Sequence, residues 1–379
     1  MNRRTRDPRP DWRARVEAQG LVFHTAAQTG VYWGEDAYYE FTAADVETIE
    51  VATRELHALC VAAVGRVIAD RRYAELGLDA LAIELVERSW FARAPSLYGR
   101  LDLAFGPDGV PKLLEYNADT PTSLLEAAVV QWTWCDECMP DADQASALHD
   151  ELIARWRELA RTTGPVVHFA SVDDVEDEMT CGYLRDTAQQ AGLETVGLKM
   201  GSIGWDPARR ALVDLQGRPI RSLFKLYPWE GLVLDDLGPA LAEVDVAWLE
   251  PAWKMVLSNK AILPILWELF PDHPNLLPAS REPGRVGEAW VKKPLFGREG
   301  SNVTVVAPGV EVATEGPYDD RGWVYQAYAD LGEHAAMRPV IGSWLVGDRP
   351  AGIGIRETTG YVTNNTARFV PHIIRDGLH

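Results

Sequence analysis

The residues best placed to do chemistry lie in one stretch, Ser96 to Thr120, where a cation, two carboxylates and an amide recur at alternate positions. Arg100 and Asp102 are two apart, as are Glu115 and Asn117. Side chains alternate across a strand, so each pair shares a face if its segment is extended. Between the pairs lies Gly106-Pro107-Asp108-Gly109. Proline presets φ, aspartate bonds its own backbone and glycine accepts positive φ, so this is a strong turn signal. The spacing predicts an antiparallel hairpin of Tyr98 to Phe105 and Val110 to Asn117. With Phe105 opposite Val110, Arg100 lies opposite Glu115, all four polar groups project from one side, and Leu101, Leu103 and Leu114 fill the other. Grouping such groups is costly without a charged guest, and two carboxylates with an amide oxygen suit Mg²⁺. The solvated face of an exposed hairpin is the other reading of the same pattern.

A second chemical stretch is Ala289-Trp-Val-Lys-Lys293-Pro-Leu-Phe-Gly297-Arg298-Glu299-Gly300-Ser301-Asn302-Val-Thr-Val-Val306. It reads as strand, glycine-rich turn, strand. It lacks the G-x-x-x-x-G-K-[ST] pattern and leads into a strand where a dinucleotide-binding turn would open a helix. Flexible glycines with Ser301 donors beside Lys293 can fold down on a nucleotide's phosphates; a plain hairpin turn is the alternative.

Elements must hold these stretches. Residues 1–20 read as a basic, mobile arm leading into a short helix. Apolar residues recur at helical spacing from Thr42, a plausible N-cap, to Ala69, and helical character resumes from Leu78 to Phe91. Thr120, Thr122 and Ser123 could cap a helix running toward Trp134, and a further helix spans roughly Ala145 to Arg161. From Pro165 the texture becomes β/α. Val166–Ala170 is a buried-type strand, Asp173–Ala191 a helix closed by Gly192, and Thr195–Met200 the next strand, a doubly wound βαβ unit. Arg221–Tyr227 is another strand ending at Pro228-Trp229-Glu230. Trp323–Asp330, Ser343–Val346, Gly352–Arg356 and Tyr361–Asn365 read as strands, and Ala367–Ile374 as a packed C-terminal segment.

A chain of 379 residues exceeds one ordinary core and suggests two or three subdomains. With 47% hydrophobic and 25% charged residues it reads as globular, with no apolar run of membrane-spanning length and no apolar segment after its basic start. A cytoplasmic location is the expectation. Four cysteines are too few for a disulfide scaffold, and Cys135-Asp-Glu-Cys138 has no second pair to complete a zinc site. The formal net charge of -19 argues against nucleic-acid binding and favours solubility or attraction of a cationic substrate such as a polyamine.

Taken together, Arg100-x-Asp102, Glu115-Tyr-Asn117-Ala-Asp-Thr-Pro-Thr122, Ser258-Asn-Lys260, Lys293-Pro294 with Gly297 to Asn302, Tyr325-Gln326 and Ala367-Arg-Phe-Val-Pro-His372 resemble the synthetase domain of glutathionylspermidine synthase. The resemblance extends to stand-alone bacterial members without the fused amidase, for which this chain has neither the length nor a Cys-His pattern. It covers nearly everything after residue 20. It implies an α/β (α+β) ATP-grasp fold with an adjoining Rossmann-like pre-ATP-grasp subdomain. The expected divisions are residues 21–164 (helices and metal hairpin), 165–250 (Rossmann-like, substrate) and 251–379 (nucleotide lobe and C-terminal strands).

By the same resemblance, Lys260 and Lys293 would contact ATP phosphates under a lid of Gly297, Arg298, Gly300 and Ser301, with Gln326, Ala327 and Tyr328 at the adenine. Asp102, Glu115 and Asn117 would hold Mg²⁺, two ions in all. Arg100 would face the substrate carboxylate and acyl phosphate, Arg356 would stabilise the transferring phosphoryl group, and Thr120, Thr122, Glu176 and Glu230 would contact substrates. The implied activity is ATP-dependent, ADP-forming C–N ligation of a carboxylate, such as glutathione or another peptide, to an amine such as a polyamine. An ATP-grasp phosphotransferase and a nucleotide-binding interaction protein without turnover are the alternatives. The identities of acid, amine and general base stay open.

Overall fold

The computed structural model describes residues 1–26, 30–318 and 321–375. Its longest helix, Ala43–Ala69, starts where the sequence places it. Thr42 accepts from the Asp45 amide while the Asp45 carboxylate accepts from the Thr42 amide, a reciprocal capping box. One face of the helix, including Ile49, Leu56, Cys60, Val64 and Val67, is fully buried.

That face packs under a five-stranded antiparallel sheet. In order its strands are Arg368–Val370, Arg349–Thr358, Arg338–Val346, Tyr98–Phe105 and Pro111–Asn117. Two buried polar contacts fix the helix beneath it: Thr53 Oγ1 to Ser343 Oγ at 2.6 Å, and His57 Nδ1 to the Tyr116 hydroxyl at 2.9 Å. With one face sealed, the functional groups of the sheet can only use the other.

The βαβ expectation holds. Ala247–Leu249, Ser222–Leu226, Val166–Ser171 and Glu194–Lys199 form an all-parallel sheet in that order. The helix Val175–Gln190 crosses between its last two strands, capped by Asp174, which accepts from the Glu176 and Asp177 amides. Ligands of such sheets bind beyond the carboxyl ends of the strands, and that is where Asp177 and the segment Tyr227 to Glu230 emerge.

A third sheet, antiparallel, runs Ala279–Ser280, Trp323–Ala327, Trp290–Pro294, Thr304–Ala307, Val310–Ala313. The glycine-rich turn therefore joins two adjacent strands. It takes positive φ at Glu299, Gly300 and Asn302. Only glycine fits at position 300, where an added Cβ would meet the Val362 side chain at 2.7 Å and the Thr363 carbonyl at 2.8 Å.

Several expectations are corrected. The first residues are no mobile arm: Asn2–Thr5 pairs antiparallel with Ala37–Phe41, and Arg3 makes a two-pronged pair with the buried Glu357. Tyr361–Asn365 is a loop, which the glycine-rich turn contacts through the Asn365 to Glu299 hydrogen bond. Thr120, Thr122 and Ser123 do not cap the following helix, which opens at Leu124 and is π-helical over Glu126–Val130: the Ser123 hydroxyl meets Tyr32 and Thr120 Oγ1 accepts from Arg298.

The hairpin forms with a shifted register. Phe105 pairs with Pro111, Asp102 with Glu115 and Arg100 with Asn117, and Leu114 is the extra residue of a bulge. Leu103 faces Leu113, so Leu113 joins Leu101 and Leu103 in the core while Leu114 turns to the opposite side, near Leu331 and Val340. The bulge is satisfied from outside: Lys293 donates to the Leu114 carbonyl at 2.9 Å and Gln326 to the Leu113 carbonyl at 2.8 Å.

Candidate active site

The free face of the hairpin, the carboxyl ends of the parallel sheet and the inner face of the third sheet enclose a cleft of about 350 Å³. Arg100, Asp102, Glu115, Asn117, Thr120, Thr122, Lys260, Lys293, Gly297, Arg298, Gly300, Ser301, Gln326, Ala327, Tyr328 and Arg356 all line it. Glu176 and Glu230 do not line it, but each contacts a residue that does, Thr122 and Arg298 respectively.

On the floor, Arg100 clamps Asp102 with Nε at 2.6 Å and Nη2 at 3.1 Å, and its Nη1 donates to the Thr122 carbonyl at 2.6 Å. A glycine must lie beneath it, since a Cβ at Gly342 would meet Arg100 Cδ at 2.7 Å. Asn117 Nδ2 stands 3.1 Å from Asp102 Oδ2 and 3.3 Å from Glu115 Oε1.

Lys260 Nζ lies 2.9 Å from Glu115 Oε2 and donates to the Gly297 carbonyl at 2.7 Å, so it ties floor to lid. Burial pushes the Glu115 carboxyl up, but Lys260 and Lys293 outweigh it and hold the group at about 2. Glu115 is thus an anion at every physiological pH. Burial pushes Lys293 down to about 8 against the pull of Glu115. Its other acceptor is Gln326 Oε1 at 2.8 Å. The Gln326 side chain, expected at the adenine, is therefore committed to Lys293 and the bulge.

The donor set fits a divalent cation of the magnesium kind. Two carboxylates and an amide meet within hydrogen-bond reach, and turning the Asn117 amide about would bring its oxygen to the two carboxylates. Among the described residues no group of three or more His, Cys, Asp or Glu side chains is placed to hold a metal ion. A cation here would complete its shell with water or phosphate oxygens, the usual habit of Mg²⁺.

At the far wall, Arg298 of the lid donates to Thr120 Oγ1 at 2.9 Å and pairs with Glu230. The loop carrying Thr120 is held to the strand end carrying Glu230 by a buried pair, Lys225 Nζ to Asp119 Oδ1 at 2.7 Å. Asp119 Oδ2 also accepts from the Trp229 amide at 2.9 Å. Arg356 Nη2 donates to the Asn364 carbonyl at 2.7 Å, while its buried Nε has no partner. That orphan donor leaves the half-buried Arg356 able to take a further acceptor.

Three polar residues near the cleft were not singled out from sequence. Asp177 lines it and is pushed up to about 7 by burial and by Asp174 and Glu176. Tyr32 and the buried Glu126 form a pair behind Ser123, with the hydroxyl donating to Glu126 Oε1 at 2.6 Å. The one available signal was a lone glutamate in an otherwise apolar run, Leu124-Leu-Glu126-Ala-Ala-Val-Val130. Cys60, Cys135, Cys138 and Cys181 are all free thiols, and no helix among the described residues is long and apolar enough to cross a membrane.

Known proteins give these elements a context. Among solved structures, an apo glutathione synthetase-like effector from Globodera pallida superposes with a TM-score of 0.56 over 98% of this chain and all of its own, at 10% identity, which supports the ATP-grasp fold alone. A Haemophilus influenzae protein named "Putative acid--amine ligase" is 42% identical over 90% of both chains. Trypanothione synthetase of Crithidia fasciculata is 30% identical over 83% of this chain and 53% of its own. The bifunctional glutathionylspermidine synthetase/amidase of Escherichia coli is 27% identical over 95% of this chain and 62% of its own. The chain thus spans only a little over half of those two longer relatives. The family described as glutathionylspermidine synthase preATP-grasp matches residues 3–375, and the chain belongs to that family, with the α/β ATP-grasp fold and Rossmann-like pre-ATP-grasp subdomain expected of it.

Proposed function

We propose that this chain is an ATP- and Mg²⁺-dependent ligase that joins a carboxylate to an amine through an acyl phosphate, releasing ADP. The observation that carries the reading is the convergence of Lys260, Lys293, Arg100 and Arg356 with the Asp102, Glu115 and Asn117 face in one cleft under a glycine-rich lid. Phosphoryl transfer asks for positioning and charge neutralisation more than for a protein nucleophile, and this set supplies both.

In this reading Lys260 and Lys293 bind the phosphates of ATP, and the lid from Gly297 to Asn302 covers them. Ala327 and Tyr328 line the base's end of the cleft. Asp102, Glu115 and Asn117 hold Mg²⁺, which when bound neutralises phosphate charge. Arg100 orients the acid, whose carboxylate finds a planar fork of donors there. Arg356, through its unpartnered Nε, takes charge that develops on the transferring group. Thr120, Thr122, Glu176 and Glu230 form the organic-substrate end, where acidic groups suit a cationic amine.

The family description and the relatives' names make glutathione and spermidine the first pair to test. ADP release is measured with Mg²⁺-ATP across acid and amine pairs, with Asp102→Asn as control and hydroxylamine added to trap an acyl phosphate as a hydroxamate. Pair-dependent ADP release with hydroxamate formation supports the proposal. ADP release with a stable phosphorylated product points to a phosphotransferase, and absence of Mg²⁺-ATP binding in calorimetry refutes the reading.

A further inference from the structure

A hydrogen-bonded chain leaves the cleft between Arg100 and Arg356. A small recess there, of about 20 Å³, is lined by Arg100, Arg356 and Ser123. Ser123 Oγ lies 3.0 Å from the Tyr32 hydroxyl, and Tyr32 donates to Glu126 Oε1 at 2.6 Å. Glu126 is 1% exposed and Ser123 5%.

The direction of the chain follows from its far end. An ionised Glu126 can only accept, so the Tyr32 proton points to it and the Tyr32 oxygen accepts from Ser123. The Ser123 hydroxyl then spends its proton inward and keeps its lone pairs for a donor in the recess.

The backbone is bent to make this arrangement. Ser123 holds φ of 65°, a left-handed conformation costly for a residue with a Cβ. The turn that follows is π-helical from Glu126 to Val130, a distortion found mostly at functional sites. Neither feature serves capping, since no side-chain cap is present there.

We propose that Ser123, Tyr32 and Glu126 form a proton relay that draws a proton from the amine substrate in the cleft and stores it on Glu126. The proposal rests on the ligase reading. An amine N–H bond breaks, its electron pair stays on nitrogen, and the proton bonds to Ser123 Oγ. The Ser123 proton passes to the Tyr32 oxygen and the Tyr32 proton to Glu126 Oε1. One N–H is exchanged for one O–H on a neutral Glu126 carboxyl, and the freed lone pair attacks the acyl carbon. Release of the stored proton to solvent resets the chain.

Glu126 has the proton affinity this needs. Burial and the neighbouring Glu176 push it up to about 7, against the Tyr32 hydrogen bond and the charge of Arg356. Those are the groups that face it: Tyr32 from the N-terminal segment, Glu176 from the helix Val175–Gln190 and Arg356 from the strand Arg349–Thr358. An ordinary carboxylate would be too weak a base to hold a proton at neutral pH.

Two measurements test the relay, the first without substrate. The infrared band of a protonated carboxyl in the wild-type minus Glu126→Gln difference, which leaves out Asp177, should titrate near pH 7 in the free protein, and its midpoint should shift upward when the same difference is taken in a Tyr32→Phe background, which loses a donor to the anion. No such band, or one in the ordinary carboxylate range, overturns the proposal. The second compares hydroxylamine, already uncharged at neutral pH, with spermidine as acceptor for Mg²⁺-ATP and glutathione. Both variants should keep hydroxamate formation within about twofold and lose amide formation about a hundredfold, the usual worth of a positioned base, with recovery at alkaline pH. Equal loss of both reactions, or loss of neither, overturns it. If wild type forms no hydroxamate from glutathione, that failure falls on the substrate reading, and the infrared titration still decides whether Glu126 takes a proton at neutral pH.

Discussion

Lys260 Nζ stands 2.9 Å from Glu115 on the hairpin floor and 2.7 Å from the Gly297 carbonyl at the root of the lid. One ammonium thus reads the state of both walls of the cleft. A bound phosphate would take over as its partner, so Lys260→Ala should weaken Mg²⁺-ATP binding roughly tenfold to a hundredfold, the worth of one charged hydrogen bond. Lys292 is the internal control. It sits one position before Lys293 on the same strand, so it faces the other way, and its Nζ lies 3.8 Å from the centre of the Trp323 ring. Calorimetry should find ATP affinity in Lys292→Ala unchanged within about twofold; equal losses in the two variants would remove Lys260 from the phosphate site.

In the proposed ligase Gln326 would act on the nucleotide through Lys293. Its Oε1 accepts from Lys293 and its Nε2 donates to the bulge carbonyl of Leu113. In Gln326→Leu both partners lose a bond in a buried place, at a cost of about 1–3 kcal/mol of stability, readable by urea denaturation. The acceptor favours the charged lysine, so its loss also lowers the Lys293 pKa. Lys293 is pushed down to about 8, and the charge that attracts phosphate is present below that pH and lost above it. ATP affinity should therefore fall as pH rises through about 8 in wild type, and from a lower pH in Gln326→Leu. A variant whose affinity follows the wild-type pH curve would contradict the coupling.

Arg298 belongs to the glycine-rich turn by sequence, but its contacts are with the wall that the proposed function gives to the organic substrates. It bridges Thr120 and Glu230. Arg298→Met should raise the KM of acid or amine roughly tenfold or more while leaving the Kd of Mg²⁺-ATP within about twofold. Steady-state ADP release at saturating ATP, with calorimetry alongside, separates the two. A loss confined to ATP would return Arg298 to the phosphates.

The legible parts of this protein were those with local signals. The capping box at Thr42, the Gly106 to Gly109 turn and the βαβ unit from Val166 each carry their cause within a few residues. The hairpin register was not legible, because the bulge at Leu114 is stabilised by Lys293 and Gln326, almost two hundred residues or more further along the chain. The strand Asn2–Thr5 has no apolar pattern at all; its place is set by a partner strand and by Glu357. Arg100, Asp102, Glu115 and Asn117, announced by polar groups at alternate positions, do line one cleft, whereas Tyr32 and Glu126 are a pair joined across 94 positions and show no spacing.

Acid should loosen the fold through two buried histidines. His372 is fully buried and held neutral: Nε2 accepts from the Ala145 amide at 3.2 Å and Nδ1 meets Gln131 Oε1 at 3.0 Å. Burial pushes it down to about 3, and burial with the charge of Lys254 pushes His57 down to about 4. Between these values and the ordinary 6.5 the unfolded chain binds the proton and the native chain does not, so stability rises with pH there and is lost as pH falls. Each histidine contributes a slope of about 1.4 kcal/mol per pH unit. Glu126 and Asp177, both raised to about 7, act in the opposite sense over much of the same range. The readout is therefore a difference. Wild-type stability minus that of His372→Gln, from urea midpoints between about pH 4.5 and 7.5, should climb at that slope up to about 6.5 and be flat above. A difference independent of pH would mean that His372 is protonated in the native state and that the Ala145 hydrogen bond does not hold it neutral.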